Sequence, residues 1–186
     1  MIHSPLTFNH SLLKQYLKPD STAIDATVGN GNDFLFLMKQ VGNNGTVIGF
    51  DIQKDAIKTT QEKIDSNKLT TKTQLILDGH EKMLDYIDPE TVHAIVFNLG
   101  YLPKGDKTII TKPDTTIKAI EAGLTLLVRG GLMTIMVYHG HDGGSEEKEA
   151  VETFLETLDQ KEYTVMKYTP VNQINHPPYL LMVQKQ

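Results

Sequence analysis

The sequence predicts an α/β fold built on a seven-stranded, mostly parallel sheet with helices on both faces. Short apolar runs alternate with amphipathic segments through most of the 186 residues, which is typical of repeated βα units. Two final apolar runs lie near 163–169 and 179–185, and the segment between them, which contains 172–178, is too short for a helix. We therefore expect five βα units followed by a C-terminal antiparallel β-hairpin.

Each of the five parallel strands is predicted from a short apolar run. These runs lie near 22–26, 46–51, 73–77, 93–98 and 132–138. Strands that are buried on both faces of a parallel sheet show such continuous apolar runs. In sheets of this kind ligands bind beyond the carboxyl ends of the strands.

Helices are predicted from apolar residues that recur at three- and four-residue spacing. The segments lie near 10–17, 32–41, 54–66, 80–87, 115–128 and 146–159. One face of the fifth helix carries Ile117, Ile120, Leu124, Leu127 and Val128, and one face of the sixth carries Val151, Phe154, Leu155 and Leu158. Ser145 is the predicted N-cap of the sixth helix, with Glu146 and Glu147 in its first turn.

Length and composition restrict the class of protein. One domain spanning 1–186 is expected, because no composition break marks a linker. The chain has no cysteine, so it has neither disulfides nor thiolate metal sites. It shows no secretion signal and no apolar stretch of membrane length, so we expect a soluble cytoplasmic protein. The formal charge of −5 argues against a strongly basic nucleic-acid binder, but not against an RNA enzyme with a local basic patch.

The segment 24–33 predicts a strand end, a glycine turn and a helix start. Gly29 and Gly31 have no Cβ, so a ligand can approach the backbone closely at this turn. Asp51 ends the next predicted strand, where its carboxylate would face the hydroxyls of a ribose. Together these patterns predict a nucleoside cofactor at the carboxyl edge of the sheet.

The residues around the turn favour S-adenosylmethionine (SAM) over a dinucleotide. The dinucleotide fingerprint has a third glycine where this chain has Phe34, and the sequence contains no phosphate-loop motif. Asp25 and Asp33 flank the turn and would repel a pyrophosphate, whereas they suit a ligand with an ammonium group and a sulfonium. The alternative is a tight βα turn in which Asp33 only caps a helix, and this leaves Asp51 unexplained.

Polar residues follow the third and fourth predicted strands. Gly79 and His80 come after the third strand, where His80 either contacts an adenine or only begins a helix. Asn98 ends the fourth strand, and the segment 98–103 resembles the (Asn/Asp)-Pro-Pro-Tyr motif of amino-group methyltransferases, with Leu-Gly in place of Pro-Pro. The acceptors of such a motif orient the lone pair of an amine, so positioning would do much of the catalysis. The alternative is an ordinary βα loop.

The segment 138–144 follows the fifth predicted strand and is rich in glycine and histidine. His139 and His141 stand two residues apart beside Asp142, but no third clear ligand accompanies them, so we predict no metal site. We expect instead a polar wall of a substrate pocket. Either His139 or Tyr138 would take the proton of a reacting ammonium, or both would only shape the pocket.

These motifs together resemble the MnmM (YtqB-like) family of small bacterial methyltransferases, long described as rRNA methylases, over nearly the whole chain. The family pattern is matched by the segments 25–33, 49–53, 78–80, 98–103, 115–116, 138–144, 172–173 and 177–178. The segments 98–103 and 138–144 are the specific signatures, whereas the Gly-Asn-Gly loop is shared more widely. Phe34 is a minor departure from a family that often has Thr there.

The resemblance implies a Rossmann-like class I SAM-dependent methyltransferase that acts on tRNA. Members are understood to methylate the aminomethyl group of 5-aminomethyl-2-thiouridine at the anticodon wobble position, giving 5-methylaminomethyl-2-thiouridine. This agrees with Asn98 as an acceptor that orients an amine. By the same resemblance the contacts with SAM are expected at Asn30, Asn32, Asp51, Gln53 and His80.

The expected partner is the anticodon stem-loop of a tRNA. The substrate-binding residues predicted for it are Leu102, Pro103, Lys104, Lys107, Tyr138 and His141. Lysines outnumber acids in 104–118, where they would contact phosphates, although a solvated loop is the alternative. Tyr101 and Tyr138 would stack on a base flipped out of the anticodon loop.

Three other functions remain open from the sequence: methylation of rRNA or of a small-molecule amine, an NAD-binding Rossmann oxidoreductase, and a non-catalytic RNA-binding module. The missing third glycine argues against the oxidoreductase. The binding module has no use for Gly29 and Asp51 arranged around a cofactor. The oligomeric state is not determined by these patterns, and a homodimer is one alternative.

Overall fold

The computed structural model describes residues 2–100, 110–140 and 143–186, which form a single seven-stranded sheet with helices on both faces. In chain order the elements are α1 (Pro5–Tyr16), β1 (Thr22–Asp25), α2 (Asn32–Val41), β2 (Thr46–Asp51), α3 (Lys54–Ser66), β3 (Lys72–Leu77), a 3₁₀ helix (His80–Asp85), β4 (Val92–Leu99), α4 (Pro113–Leu126), β5 (Leu127–Val137), α5 (Gly144–Glu156), β6 (Tyr163–Tyr168) and β7 (Tyr179–Lys185). Within these residues no helix is both long and apolar enough to cross a membrane.

The strand order is β3-β2-β1-β4-β5-β7-β6. Strands β1 to β5 are parallel, and β7 pairs antiparallel with both β5 and β6. The predicted α/β fold with its C-terminal antiparallel hairpin is therefore confirmed. The helix predicted near 80–87 is a 3₁₀ helix.

α1 begins well before the helix that the sequence predicts near 10–17. Ser4 is its N-cap, and the Ser4 hydroxyl accepts the Thr7 N–H at 3.3 Å. Pro5 is the first residue of the helix, where a proline is favoured because its missing N–H is not needed and its φ is already helical. The Ser-Pro pair is thus the signal in the sequence that marks this helix start.

β5 also begins earlier than predicted, because α4 ends at Leu126 and the strand follows directly from Leu127. Gly130 has a φ of +80°, and the register between β4 and β5 shifts over this stretch. Arg129, Gly130 and Gly131 interrupt the apolar run before Leu132, whereas Leu127 and Val128, which belong to β5, fit the apolar face predicted for the preceding helix. The spacing of apolar residues therefore could not locate the start of the strand.

The sheet separates two apolar cores. Helices α1, α2 and α3 cover one face, and the 3₁₀ helix, α4 and α5 cover the other. On β4, Ala94 and Val96 belong to the α1–α2 core, whereas Ile95 and Phe97 belong to the α4–α5 core. Because successive side chains of a strand point to opposite faces, Asn98 lies on the α1–α2 side.

α1 is held in place by the C-terminal hairpin. Phe8 stacks on Tyr168 of β6 with the ring centroids 4.4 Å apart, and the Tyr168 hydroxyl donates to the carbonyl oxygen of His3 at 2.7 Å. Further along α1, the Tyr16 hydroxyl donates to the carbonyl oxygen of Gly130 in β5 at 2.9 Å. These contacts fix α1 across the sheet.

Gly49 of β2 packs against the turn that follows β1. A Cβ at this position would lie 2.5 Å from Cγ2 of Val28 and 2.7 Å from Cε2 of Phe34. We expect Gly49→Ala to lower the free energy of unfolding by about 1–3 kcal/mol, because an extra methyl group in a packed core displaces its neighbours. Urea unfolding followed by circular dichroism measures this loss.

Gly123→Ala is the matched control. Gly123 lies in α4, and an added Cβ would meet the terminal Cε of Met133 at 2.5 Å, which is the flexible end of that side chain. Alanine also favours the helix over glycine by about 1 kcal/mol, so we expect no loss of stability. Equal losses in the two variants would contradict the packing argument.

Candidate active site

Polar side chains gather at the carboxyl ends of β1, β2 and β4. β1 lies between β2 and β4. After β1 the chain continues towards one edge of the sheet, through β2 and β3, and it then returns to β4 on the other side of β1. In open α/β sheets a crevice forms at this position, and ligands bind there. The loops after these strands, together with α1, supply the side chains of the site.

The turn after β1 has a fixed conformation. Gly29 and Gly31 have φ values of +51° and +73°, a region that favours glycine. A Cβ on Gly31 would lie 2.5 Å from Oγ1 of Thr60, so α3 packs directly on the turn. Lys63 of α3 donates to the carbonyl oxygen of Asn30 at 2.5 Å and to Oδ1 of Asn32 at 3.1 Å. Sequence analysis did not identify Lys63, whose contact joins two separate βα units.

Asp51 closes the turn from the end of β2. Its Oδ2 accepts the Gly29 N–H at 2.8 Å, and its Oδ1 accepts the Gln53 N–H at 2.9 Å. Burial raises the pKa of Asp51, and these two backbone donors oppose that rise. Each carboxylate oxygen can accept a second hydrogen bond, so the predicted contact with ribose hydroxyls stays compatible with this geometry.

Asp25 is fully buried at the end of β1. Its Oδ1 accepts the Thr27 N–H at 3.2 Å, and its Oδ2 has no hydrogen-bond partner among the described residues. Burial raises the pKa of Asp25 well above its ordinary range, and the negative charges of Asp33 and Asp51 raise it further. A buried carboxyl group that has one oxygen without a hydrogen-bond partner and lies among other acidic groups is a site that a cation would stabilise.

These carboxyl groups fit the cofactor that the sequence predicts. SAM carries a sulfonium, an ammonium group and a ribose, and the carboxylates of Asp25, Asp33 and Asp51 complement all three. A pyrophosphate would meet the same carboxylates as like charges. Among the described residues no three His, Cys, Asp or Glu side chains are arranged to hold a metal ion.

His80 is buried behind the turn. Its Nδ1 lies 3.1 Å from the carbonyl oxygen of Ala26, and its ring packs edge-on against Phe97 with a centroid distance of 5.7 Å. Because a carbonyl only accepts, Nδ1 carries the proton and Nε2 is the acceptor of the neutral ring. Burial lowers the pKa of His80 and favours that neutral form. His80 also begins the 3₁₀ helix, directly after Gly79, as the sequence predicts, and the contact with an adenine stays a prediction.

Asn98 is held at two points. Its N–H donates to Oγ1 of Thr27 at 2.7 Å, and its Nδ2 donates to Oδ2 of Asp33 at 2.8 Å. The other oxygen of Asp33 accepts from Nε2 of His10 in α1 at 2.7 Å. The ring of His10 stacks on Phe36 with a centroid distance of 4.2 Å. Sequence analysis did not identify His10 or Thr27 as part of the site.

Tyr138 and His139 lie on opposite sides of the sheet. The Tyr138 N–H donates to the carbonyl oxygen of Leu99 at 3.1 Å, which continues the β4–β5 pairing. Burial raises the pKa of Tyr138, and the negative charge of Asp33 raises it further. Val137 belongs to the α4–α5 core, and successive side chains along a strand direction alternate between the two faces of the sheet. The structure therefore brings Tyr138 to the side of the sheet that carries Asn98.

The ring of His139 packs against His176 and Tyr179, at centroid distances of 5.6 and 5.5 Å. Burial lowers the pKa of His139, and the positive charge of Lys148 lowers it further. Lys148 lies on α5, His176 in the segment between β6 and β7, and Tyr179 at the start of β7, where it belongs to the core on the α4–α5 side of the sheet. The structure does not bring His139 to Asn98, although the sequence analysis expects both in one pocket.

Several predicted site residues lie outside the described residues. They are Tyr101, Leu102, Pro103, Lys104, Lys107 and His141. The residues that flank 101–109 are joined, because the Gly100 N–H donates to Oγ1 of Thr111 at 2.9 Å and the Thr111 N–H donates to the Gly100 carbonyl at 3.0 Å. The Thr111 hydroxyl donates in turn to Oε2 of the buried Glu147 at 2.7 Å, which ties this loop to α5.

Comparisons with known proteins agree with this geometry. Residues 47–184 match the family model described as "Putative rRNA methylase". The chain is 39% identical over 187 residues to a tRNA (mnm(5)s(2)U34)-methyltransferase, chloroplastic, of Arabidopsis thaliana, and the match covers 95% of this chain and 68% of that protein.

Two solved structures are similar over their whole length. One is described as a putative rRNA-methylase from Clostridium thermocellum, with a TM-score of 0.97 and 46% identity, and 100% of each chain is covered. The other is a putative methyltransferase from Streptococcus mutans in complex with SAH, with a TM-score of 0.89 and 45% identity, again with 100% of each chain covered.

The buried Asp25 predicts a dependence of stability on pH. Because its folded-state pKa lies above the ordinary value of 3.8, the unfolded chain loses this proton first as pH rises. Asp25 therefore lowers the free energy of unfolding increasingly as pH rises above about 4. We expect Asp25→Asn, measured by urea unfolding without cofactor, to be more stable relative to wild type at pH 8 than at pH 4.5.

Asp88→Asn, which changes an exposed acid, is the control and should leave the pH dependence unaltered. A tenfold change in the acid constant of Asp25 corresponds to about 1.4 kcal/mol. If the free energy of unfolding of Asp25→Asn has the same pH dependence as that of wild type, ionisation of Asp25 does not destabilise the protein.

Proposed function

We propose that this chain, which belongs to the MnmM (YtqB-like) family of SAM-dependent methyltransferases, methylates an exocyclic amine of a tRNA. The model of the family is described as "Putative rRNA methylase". The proposed reaction converts 5-aminomethyl-2-thiouridine at the anticodon wobble position into 5-methylaminomethyl-2-thiouridine. The name of the Arabidopsis relative, a tRNA (mnm(5)s(2)U34)-methyltransferase, supports this substrate. Because the cofactor is SAM, an NAD-binding oxidoreductase is excluded.

The orientation of the Asn98 amide is the observation that carries the proposal. Asp33 receives the Nδ2 end of this amide, so the Oδ1 end is directed away from Asp33. An amide oxygen at the carboxyl end of β4 is an acceptor for the N–H groups of a substrate amine. If the amide oxygen holds the amine through its N–H groups, the nitrogen lone pair would be free to attack the methyl group of SAM.

The carboxylates of the site support a cationic cofactor. SAM, when bound, supplies a methyl group on a sulfonium, and this methyl group reacts with a neutral amine. We propose that the turn after β1 and the ends of β2 and β3 hold it. The residues assigned to this role are Asp25, Gly29, Asn30, Gly31, Asn32, Asp33, Asp51, Gln53, Gly79 and His80.

The substrate base would enter on the α1–α2 side of the sheet. Tyr138, which is 40% exposed there, offers an aromatic face on which the base could stack. Because a protonated amine has no lone pair, the proton of the aminomethyl group must leave before transfer. The position of His139 on the opposite side favours water, rather than that ring, as the acceptor of this proton.

The RNA contact is proposed for the loop that follows Asn98. Lys104 and Lys107, with Leu102 and Pro103, belong to this loop, and the tRNA anticodon stem-loop is the partner we propose. Lys112 and Lys118 are exposed at the start of α4, which continues from it. The family description also names rRNA, so an rRNA amine is the second candidate substrate.

The substrate is tested by nucleoside mass spectrometry. We expect the purified protein with SAM to convert 5-aminomethyl-2-thiouridine into its N-methyl product in tRNA from a strain that lacks this modification. Ribosomal RNA from the same strain and the free nucleoside are the parallel substrates. Methylation of rRNA alone, or of the free nucleoside at the same rate, would assign the enzyme to one of the other substrates.

The chemical role is tested by Asn98→Ala. Loss of the amide oxygen leaves the amine without its acceptor, and a misplacement of this kind costs on the order of 100-fold in rate. We expect kcat on the tRNA to fall by about that factor, while affinity for S-adenosylhomocysteine, measured by calorimetry, stays within about threefold of wild type. An Asn98→Ala enzyme that methylates at the wild-type rate would exclude Asn98 from the reaction.

A further inference from the structure

We propose that His10 is a positioning residue of this site, which acts through Asp33 to fix the amide of Asn98 with its oxygen towards the substrate amine. The inference rests on the proposed function for its catalytic consequence. Its structural content does not depend on the identity of the substrate. Three groups from three elements take part: His10 in α1, Asp33 in α2 and Asn98 at the end of β4.

The hydrogen bonds run in one direction. Both oxygens of a carboxylate accept, so Nε2–H of His10 donates to Oδ1 of Asp33 at 2.7 Å, and Nδ2–H of Asn98 donates to Oδ2 at 2.8 Å. An amide has one donor end and one acceptor end. Asp33 therefore selects one of the two orientations of the Asn98 side chain, and this orientation presents Oδ1 to the pocket.

The main chain at Asn98 is fixed independently. Its N–H donates to Oγ1 of Thr27 at 2.7 Å, and this bond involves neither His10 nor Asp33. A change at His10 therefore leaves the backbone of β4 in place and alters only the side-chain orientation that Asp33 selects. This separation lets an experiment distinguish positioning from a general loss of structure.

His10 is held so that it can orient Asp33. Its ring is stacked on Phe36, with an interplanar angle of 12° and a centroid distance of 4.2 Å, so the direction of Nε2 is restricted. Asp33 has the freedom to rotate about its side-chain bonds when only one oxygen is bound. With both oxygens bound, by His10 on one side and Asn98 on the other, the carboxylate plane is defined.

The contact between His10 and Asp33 is partly accessible to solvent. The side chain of His10 is 34% exposed and that of Asp33 is 13% exposed, and burial and the charge of Asp33 raise the pKa of Tyr138. His10 is therefore near the space that a substrate would enter, although it need not touch the reacting atoms. This arrangement is that of a residue that supports Asn98 from behind.

The experiment compares His10→Ala and His10→Gln with wild type. Alanine removes the donor to Asp33, whereas the glutamine side chain can still donate an N–H from a similar position. We expect His10→Ala to lower kcat by about 10- to 100-fold without changing KM for tRNA or the affinity for S-adenosylhomocysteine, and His10→Gln to recover most of the rate. His3→Ala, which removes an exposed histidine of the same N-terminal region, is the control and should keep the wild-type kcat.

A second measurement tests the orientation itself. In ¹⁵N-labelled protein, the side-chain amide resonances of Asn98, assigned with the Asn98→Ala variant, should shift in His10→Ala and return towards wild type in His10→Gln. A His10→Ala enzyme with unchanged kcat and unchanged Asn98 resonances would overturn the proposal. A rate loss that glutamine does not restore, accompanied by a raised KM, would also overturn it, because it would show a role in substrate binding.

Methyl transfer to tRNA and the orientation of the Asn98 amide are measured independently. If the wild-type protein transfers no methyl group to the tRNA, the proposed function is wrong. The Asn98 resonances still decide whether His10 sets the amide orientation.

Discussion

Burial of carboxyl groups where β1 and β2 end is the constraint on which the rest of the site depends. Asp25 is fully enclosed, and the charges of Asp33 and Asp51 raise its pKa further. Charges in such a place are unfavourable unless donors or a cation surround them. Backbone N–H groups of Thr27 and Gly29 supply part of the compensation. A ligand with a sulfonium and an ammonium group would supply the remainder, and the same buried carboxyl groups would be unfavourable for stability when that ligand is absent.

The alternation of side chains along β4 and β5 divides the residues beyond the sheet into two environments. On one side Asn98 donates to the carboxylate of Asp33, and burial and the charge of Asp33 raise the pKa of Tyr138. On the other side His139 packs with His176 and Tyr179, near the positive charge of Lys148. Tyr138 and His139, which are adjacent in the sequence, therefore lie on different sides of the sheet. The first side carries the amide of Asn98 and the carboxylate of Asp33, and the second belongs to the hairpin and α5.

Sequence patterns predicted the fold because apolar runs and the short segment between the last two strands depend on local spacing. Sequence patterns did not predict the residues of the site that are brought together by tertiary contacts. The pairing of His10 with Asp33 is an example, because these residues lie in different helices. The early start of β5 was hidden because Leu127 and Val128 continue the apolar face of the predicted helix, and Arg129, Gly130 and Gly131 separate them from the apolar run of the strand. The side occupied by His139 was in principle predictable, since counting alternate residues from the buried Val137 places it on the α4–α5 side.

The stacking of Phe8 on Tyr168 has a consequence for biosynthesis. α1 leaves the ribosome before β6 and β7, whose hairpin contacts it. Until the hairpin has emerged and β7 has paired with β5, α1 has its contacts with α2 and β5 but lacks the stacking on Tyr168. The last contact that holds α1 across the sheet therefore forms only after the parallel strands have been synthesised.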